Sequence, residues 1–279
     1  MAIIISDIHG DINKAKAFLT YKPEAEHVIL GDLMDSRDSG VTLDDELECL
    51  ELVLTSNAVL VWGNHDLAYT DKPCWKPYAR FKDTYSPVSE LIIPHQYRFK
   101  AAHAVDGWLC THAGVSTKLA KHLPDMPLDS AEPEMVATWI NNEFQQQLLV
   151  TGKRIDRQHF YGAGPLFAIH WSRGGDDQYG GIFWYDPQRE LAKPDSRVKQ
   201  LFGHTPVPGP LKRDEWNNIN IEGGCWVYDT NEDKFTMIDE RVTDHPTYVL
   251  AELVDKITPE NKHDFSETDL GKPVGREML

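Results

Sequence analysis

Long apolar runs are missing from this 279-residue sequence: its apolar start, Met1–Ile5, is far too short for a membrane helix or a secretory h-region, and no basic leader precedes it. The expected compartment is the cytoplasm, with no membrane partner. Cysteine is scarce too. Cys49, Cys74, Cys110 and Cys225 stand far apart with no C-x-x-C pair, which leaves neither a zinc knuckle nor a dithiol redox motif. They read as reduced packing residues. Basic charge is in deficit: 28 Lys and Arg against 44 Asp and Glu give a formal net charge of -16, so nucleic acid is disfavoured as the main partner. Positive charge must be concentrated locally or supplied by metal ions, and a pair of divalent ions would return about four charges to one spot.

With 41% hydrophobic and 26% charged residues, the rest is ordinary soluble composition, enough for one substantial core. We expect a single domain over 1–258 with an insertion at about 116–197, then a polar tail over 259–279. Ala2–Ser6 is a β-branched run, followed by Asp7-Ile8-His9-Gly10-Asp11 and a helical pattern over Asn13–Leu19. The theme repeats. His27–Leu30 leads into Gly31-Asp32 and a helix over Asp44–Leu54, and Ala58–Trp62 leads into Gly63-Asn64-His65-Asp66. Strands alternating with helices suggest a largely parallel sheet, whose ligands collect beyond the carboxyl ends of its strands. A hairpin is expected from Tyr97–Ala104 and Trp108–Thr111, turned by Asp106-Gly107 and ending in His112-Ala113-Gly114. The insertion carries one helix, Glu132–Val150, and a strand-like Ile182–Tyr185. Val198–Phe202 delivers Gly203-His204-Thr205-Pro206, and Ile219–Ile221, Cys225–Tyr228 and Lys234–Ile238 read as further strands.

Five times an apolar strand ends in a loop bearing Asp, Asn or His: Asp7 with His9, Asp32 with Asp35, Asn64 with His65, then His112, then His204. One such loop means little, because these residues favour turns. Five together supply imidazole, carboxylate and amide oxygen, a mixture suited to Mn, Fe or Zn.

In this order the motifs, D-x-H, G-D-x-x-D, G-N-H-D, a lone His and G-H, resemble those of the calcineurin-like metallophosphoesterases. Gly31-Asp32-Leu33-Met34-Asp35 and Phe202-Gly203-His204-Thr205-Pro206-Val207 are similar to the bacterial and bacteriophage serine/threonine phosphatase branch, which also contains symmetrical diadenosine tetraphosphatases. The resemblance implies an α/β fold, a four-layer αββα sandwich of two mixed sheets with a di-metal site at the strand carboxyl ends. It implies two divalent ions, manganese first, with iron, zinc and nickel as alternatives. Asp7, His9 and a bridging Asp32 would hold one; Asp32, Asn64, His112 and His204 would hold the other. A hydroxide bridging the metals would attack phosphorus in line, and His65, oriented by Asp35, would protonate the leaving oxygen.

Two departures stand out. Ser36 occupies the place where the family carries a phosphate-binding arginine, and Arg37 follows it; Trp171-Ser172-Arg173 matches a second phosphate-clamping arginine of the phage enzymes. Arg37 and Arg173 are therefore the candidate phosphate ligands. Pro206 stands where many phosphodiesterases of the superfamily have a further histidine ligand, which favours the phosphatase branch. His27, His95, His103, His122, His159, His170, His245 and His263 fit no motif and read as surface or packing residues, with His170 drawing notice for its closeness to Arg173. The expected activity is a phosphomonoesterase acting on phosphoprotein or small phosphoesters; the alternative is hydrolysis of a dinucleoside polyphosphate. A metal-free scaffold would show eroded ligands, and none is eroded here.

Overall fold

The computed structural model describes residues 1–76, 85–153, 159–221 and 223–238, all within the first of two compact units, Met1–Arg241. The expected domain end at 258 and the 259–279 tail lie outside the described residues, as do His245 and His263. The first half runs β1 (Ala2–Ile5), α1 (Ile12–Thr20), β2 (Glu26–Ile29), α2 (Leu43–Thr55), β3 (Val59–Val61), α3 (Tyr85–His95) and β4 (Phe99–Lys100). It continues through β5 (His103–Val105), β6 (Trp108–Cys110), α4 (Thr117–His122), α5 (Pro133–Leu148), β7 (Thr151–Lys153) and β8 (His159–Tyr161), and then β9 (Gln200–Phe202), β10 (Trp216–Asn218), β11 (Cys225–Asp229) and β12 (Lys234–Ile238).

Local chemistry explains the helix starts. Asp11 caps α1 by accepting from Asn13 N and Lys14 N, Thr42 and Asp45 form a reciprocal capping box on α2, and Pro133 opens α5 where its missing N–H costs nothing. Two sheets result. One has the order β12-β11-β1-β2-β3-β4, with β1 to β4 parallel and β11 and β12 antiparallel; the other has the order β10-β9-β6-β5, with β10, β9 and β6 parallel. Ala2, Ile4, Val28 and Val61 pack with Trp108, Cys110 and Leu201 in a core between the sheets. Ile3, Ile5, Ile29 and Leu60 alternate to the other face and join the cluster that contains Phe18 of α1 and Leu50 of α2. Because both faces are covered, β1 and β3 are apolar throughout and β2 is apolar over Val28 and Ile29, instead of alternating. On the second sheet, α5 lies against β5 and β6, with Leu109 in the cluster of Val136 and Ile140. The mixed α/β sandwich implied by the resemblance is the fold observed. Among the described residues no helix is long and apolar enough to cross a membrane, and the four cysteines are buried and joined by no disulfide.

Three strand expectations are corrected. Tyr97–Ala104 is not one strand, because the chain leaves the first sheet after β4 and enters the second at β5. At the crossing, Asn141 of α5 accepts from Ala101 N at 2.8 Å and Ala102 N at 3.2 Å and donates to Ala102 O at 2.8 Å. One amide thus replaces the ladder for buried backbone that belongs to neither sheet. Ile182–Tyr185 is a turn in which Trp184 N and Tyr185 N both donate to Gly181 O; Ile182, Phe183 and Tyr185 are apolar because they are buried. In the tenth strand the paired residues are Trp216–Asn218, not Ile219–Ile221. Asn217 and Asn218 are buried and hydrogen-bonded to Arg213 N and Thr205 O, so the strand carries polar residues where a core strand is expected to be apolar. The Asp106-Gly107 turn does close a hairpin, β5 with β6, at φ 48° and 78°.

Asn141→Ala would leave two buried N–H groups and a carbonyl unpaired at the sheet crossing, an expected loss of about 2–4 kcal/mol in urea unfolding. A loss under about 1 kcal/mol would show that the crossing does not depend on that amide.

Candidate active site

The parallel strands of both sheets end on the same side, which brings the five loops together. Among the described residues, Asp7, His9, Asp32, Asp35 and His204 all have positive φ, between 48° and 66°. Left-handed backbone is costly for residues other than glycine and collects where the surroundings impose it. Here hydrogen bonds between loops impose it: Asp7 N donates to Gly31 O, His9 N to Asp32 O, Gly10 N to Leu33 O and Gly203 N to His112 O. Gly31 and Gly63 permit the closest approach. A Cβ on Gly63 would overlap Asp32 N, and one on Gly31 would overlap Gly63 N.

Two donor groups meet at Asp32. Asp7, His9 and Asp32 form one group and Asp32, His112 and His204 the other, each with its ligand atoms within 4.8 Å of one another. His112 Nε2 lies 2.9 Å from Asn64 Oδ1, 3.1 Å from His204 Nδ1 and 3.4 Å from Asp32 Oδ2. His9 Nε2 is 3.9 Å from both Asp7 Oδ1 and Asp32 Oδ2. The far ring nitrogens are already engaged, His9 Nδ1 with Met34 O and His112 Nδ1 with Leu30 O, both at 2.7 Å. Those bonds place an N–H on Nδ1 and turn the Nε2 lone pairs inward.

The residues fit a pair of divalent ions on this chain's own evidence. His112 Nε2, Asn64 Oδ1, His204 Nδ1 and Asp32 Oδ2 converge on one spot, and Asp7 Oδ1, also buried, has no hydrogen-bond partner. Acceptors brought together in this way call for a cation. The titration behaviour of the chain alone says the same. Burial opposes charge on His112, yet the Asp32 carboxylate outweighs it and pushes the imidazole up to about 9. Burial, then the neighbouring His112 and Arg173, hold His204 well below the ordinary histidine value. Asp32 is held well below the carboxylate range although burial pushes it up, because His112 and His65 face it.

Beside these groups lies the expected dyad: His65 Nδ1 is 2.7 Å from Asp35 Oδ2. Burial resists protonation of His65, but the charge of Asp32 and the hydrogen bond to Asp35 raise it above its ordinary value. Two partners of these groups were not among the expected site residues. Tyr69 donates to the other Asp35 oxygen at 2.6 Å and fixes that carboxylate. Asp66, last residue of the third motif, accepts from Asp32 N, Leu33 N and Gly63 N at 2.9 Å each and ties two ligand loops together. Burial, reinforced by Asp32, pushes its carboxyl up to about 6. A buried acid at the end of a histidine motif was a usable signal for Asp66; nothing in the spacing marks Tyr69.

Residues 2–220 match the family model for calcineurin-like phosphoesterases. This chain belongs to that family. No curated protein matches its sequence closely enough to be counted. Solved structures similar to it include a cold-active protein-tyrosine phosphatase of a psychrophilic Shewanella species, 13% identical over 85% of this chain and 80% of that one, with a TM-score of 0.47. A protein serine/threonine phosphatase from Saccharomyces cerevisiae is 14% identical over 78% of this chain and 65% of that one, with a TM-score of 0.41. A candidate diadenosine tetraphosphatase is 16% identical over 84% of this chain and 91% of that one, with a TM-score of 0.37. The family assignment rests on the family model and the motifs, not on these likenesses.

As a calcineurin-like phosphoesterase the chain is a hydrolase of phosphoester bonds and depends on a metal pair, and its donor groups open onto a cleft of about 540 Å³. Arg37 and Arg173, the two arginines singled out in the sequence, both line it, and so do Lys76 and Arg189, which were not. Arg173 is fixed by Asp186, through Nε at 3.1 Å and Nη2 at 2.8 Å, and by Thr205 Oγ1 at 3.0 Å. At Ser36 the missing arginine is replaced by a backbone contact, Ser36 N to Glu46 Oε1 at 2.6 Å, and Arg37 is the exposed residue that follows. Of the insertion's aromatics, Trp184 lines the cleft, while Phe167, Phe183 and Tyr185 are fully buried. Phe144, Phe167 and Phe183 pack on one another and on Trp75, and all four join the main hydrophobic core. His170 contacts Ser172 Oγ at 2.7 Å and is absent from the cleft lining, His122 stacks on Tyr179, and His27 bridges Tyr21 O and Ala25 O.

A metal ion in this group would compete with protons for His112 Nε2, and the raised value of His112 means that proton competition would persist up to about pH 9. Manganese affinity should therefore tighten from about pH 6.5 to about pH 8.5, by up to tenfold per unit, and lose most of that slope in His112→Ala. Calorimetric titration of chelator-treated protein reads this directly, and a flat profile in the wild type would contradict it.

Proposed function

We propose that this chain is a di-metal phosphomonoesterase of the serine/threonine phosphatase type, working in the cytoplasm, where its buried cysteine thiols would stay reduced. The observation that carries the reading is the meeting of two donor groups on one carboxylate, Asp32, beside the His65–Asp35 dyad. Asp7, His9 and Asp32 are the proposed ligands of one ion, and Asp32, Asn64, His112 and His204 those of the other. Manganese is the first choice, with iron, zinc and nickel as alternatives. When bound, such a pair supplies Lewis acidity to the phosphoryl group and lowers the pKa of water at the site.

The chain's own residues do the rest. Arg173, braced by Asp186, presents its guanidinium to the phosphoryl oxygens, and Arg37 adds charge at the mouth of the cleft. The bond from Asp35 holds the His65 proton on Nδ1 and orients Nε2, 4.0 Å from Asp32 Oδ2, towards the leaving oxygen. Because the surroundings raise His65 above its ordinary value, its protonated form is available near neutrality to donate to that oxygen. An intact donor set argues against a non-catalytic scaffold.

A second reading, hydrolysis of a dinucleoside polyphosphate such as diadenosine tetraphosphate, is favoured by one observation: four cationic side chains line the cleft. The activities can be compared on p-nitrophenyl phosphate, its bis-ester and diadenosine tetraphosphate after chelation and manganese return. The first reading expects manganese-dependent monoester hydrolysis to dominate, and dominance of the dinucleotide would replace it with the second.

In the metal-replete enzyme, His65→Asn should retain both ions by elemental analysis and lose ~10²–10⁴-fold in kcat for alkyl phosphates, with a smaller loss for p-nitrophenyl phosphate. Equal losses on good and poor leaving groups would remove His65 as the acid.

A further inference from the structure

A carboxylate held by one oxygen is poorly aimed. Rotation about the Cβ–Cγ bond of an aspartate is soft and two-fold, so a partner on one oxygen leaves the plane of the group undetermined. Asp35 has to be aimed well. It is 1% exposed, sits in left-handed backbone at φ 66°, and meets His65 Nδ1 through Oδ2 at 2.7 Å. The surroundings of the imidazole are crowded: His65 Nε2 stands 4.0 Å from Asp32 Oδ2, and the His9 ring lies edge-on with centroids 5.1 Å apart. A ring that followed a swinging Asp35 would carry Nε2 out of line with the leaving oxygen.

Tyr69 closes this freedom. Its hydroxyl donates to Asp35 Oδ1 at 2.6 Å, so two rings hold the two oxygens and the plane of the carboxylate is fixed. The chain turns once between those rings, through the 3-10 turn Asp66–Ala68, with Ala68 N donating to His65 O and Tyr69 N to Asp66 O. Asp66 in turn binds the backbone of Asp32, Leu33 and Gly63, which anchors Tyr69 to the ligand loops themselves. The ring of Tyr69 is fully buried in the main core, in the cluster of Leu33 and Met34. Burial, then the charge of Asp35, push its phenol above the ordinary tyrosine value, so the hydroxyl keeps its proton and acts as a donor. Any nearby acceptor would satisfy a buried tyrosine; this one takes the second oxygen of the carboxylate that is bonded to His65.

We propose that Tyr69 is a positioning residue for proton donation: by fixing the plane of Asp35 it aims His65 at the leaving oxygen. Tyr69 is not among the residues that line the cleft, so its influence on the reaction runs through Asp35 and His65. As the P–O bond breaks, its electron pair goes to the leaving oxygen, which takes the proton from His65 Nε2. The Nδ1 proton stays in the bond to Asp35, and Tyr69 exchanges none. The inference rests on the phosphoester hydrolase reading, with His65 as the acid, and adds the residue that holds the acid in line.

Tyr69→Phe keeps the ring and removes the donor. In the manganese-loaded enzyme it should retain both ions by elemental analysis and leave KM within about twofold, the pattern of an interaction made in the transition state. The kcat for alkyl phosphates should fall on the order of tenfold, a share of the ~10²–10⁴ that a general acid supplies, with a smaller loss for p-nitrophenyl phosphate. The deciding comparison is a double-mutant cycle: with His65→Asn in place, Tyr69→Phe should change kcat for alkyl phosphates by less than about twofold. A purely structural tyrosine would lower the rate by the same factor in both backgrounds. Equal factors there, or equal losses on good and poor leaving groups, overturn the proposal. A second measurement needs no turnover. In zinc-loaded, diamagnetic protein the Nδ1 proton of His65 should give a downfield NMR resonance that shifts or broadens in Tyr69→Phe, and an unchanged resonance also overturns the proposal. A wild type that hydrolyses no phosphoester would count against the proposed activity, and the resonance alone would then decide whether Tyr69 positions His65.

Discussion

Everything at the site depends on where the carboxylate of Asp32 is held. Its Oδ1 accepts from His65 N at 2.9 Å, while Oδ2 faces His112, His9 and His65 at 3.4–4.0 Å. Its backbone is held as tightly, with N bonded to Asp66 and O accepting from His9 N. A single residue in left-handed backbone therefore joins three loops and belongs to both donor groups. The glycines at 31 and 63 exist on this account to let the second and third loops pass at a distance that no Cβ allows. Burial of an anion is expensive, and the three imidazoles of His9, His65 and His112 around it make this one tolerable.

Much of this was legible in the sequence because the loops follow strands whose last residues are apolar, and the order of motifs matched a known family. Helix limits came within two residues for α1, α2 and α5, whose starts carry Asp11, Thr42 and Pro133 as visible signals. Other features had no such signal. The passage from β4 to β5 reads as one strand because what breaks it, the Asn141 amide, arrives from a helix forty residues away in sequence. Trp216–Asn218 was passed over because buried asparagine bonds to loops are invisible to a pattern of apolar residues. Conversely, Ile182–Tyr185 looks like a strand since a turn that fills a core needs the same apolar side chains. Tyr69 and Asp186 act on residues already identified, and only the fold brings them there.

Charge is distributed against the composition. The chain as a whole repels anions, yet the wall of the cleft gathers arginine and lysine, and Asp186 is buried so that it anchors guanidinium groups without covering them. Such a surface keeps non-specific polyanions away while the cleft attracts an anionic group over the last few ångströms, the range within which screening by salt is weak.

The donors at this centre come from positions between 7 and 204, on strands of two different sheets. Contacts so distant in sequence form late, because chain must be closed into long loops before any of them is rewarded. No early folding intermediate that contains only the first sheet can own more than Asp7, His9, Asp32 and Asn64 of the set. An ion held by the proposed second donor group would therefore be captured only after the two sheets dock, and would act as a latch on the last step of assembly.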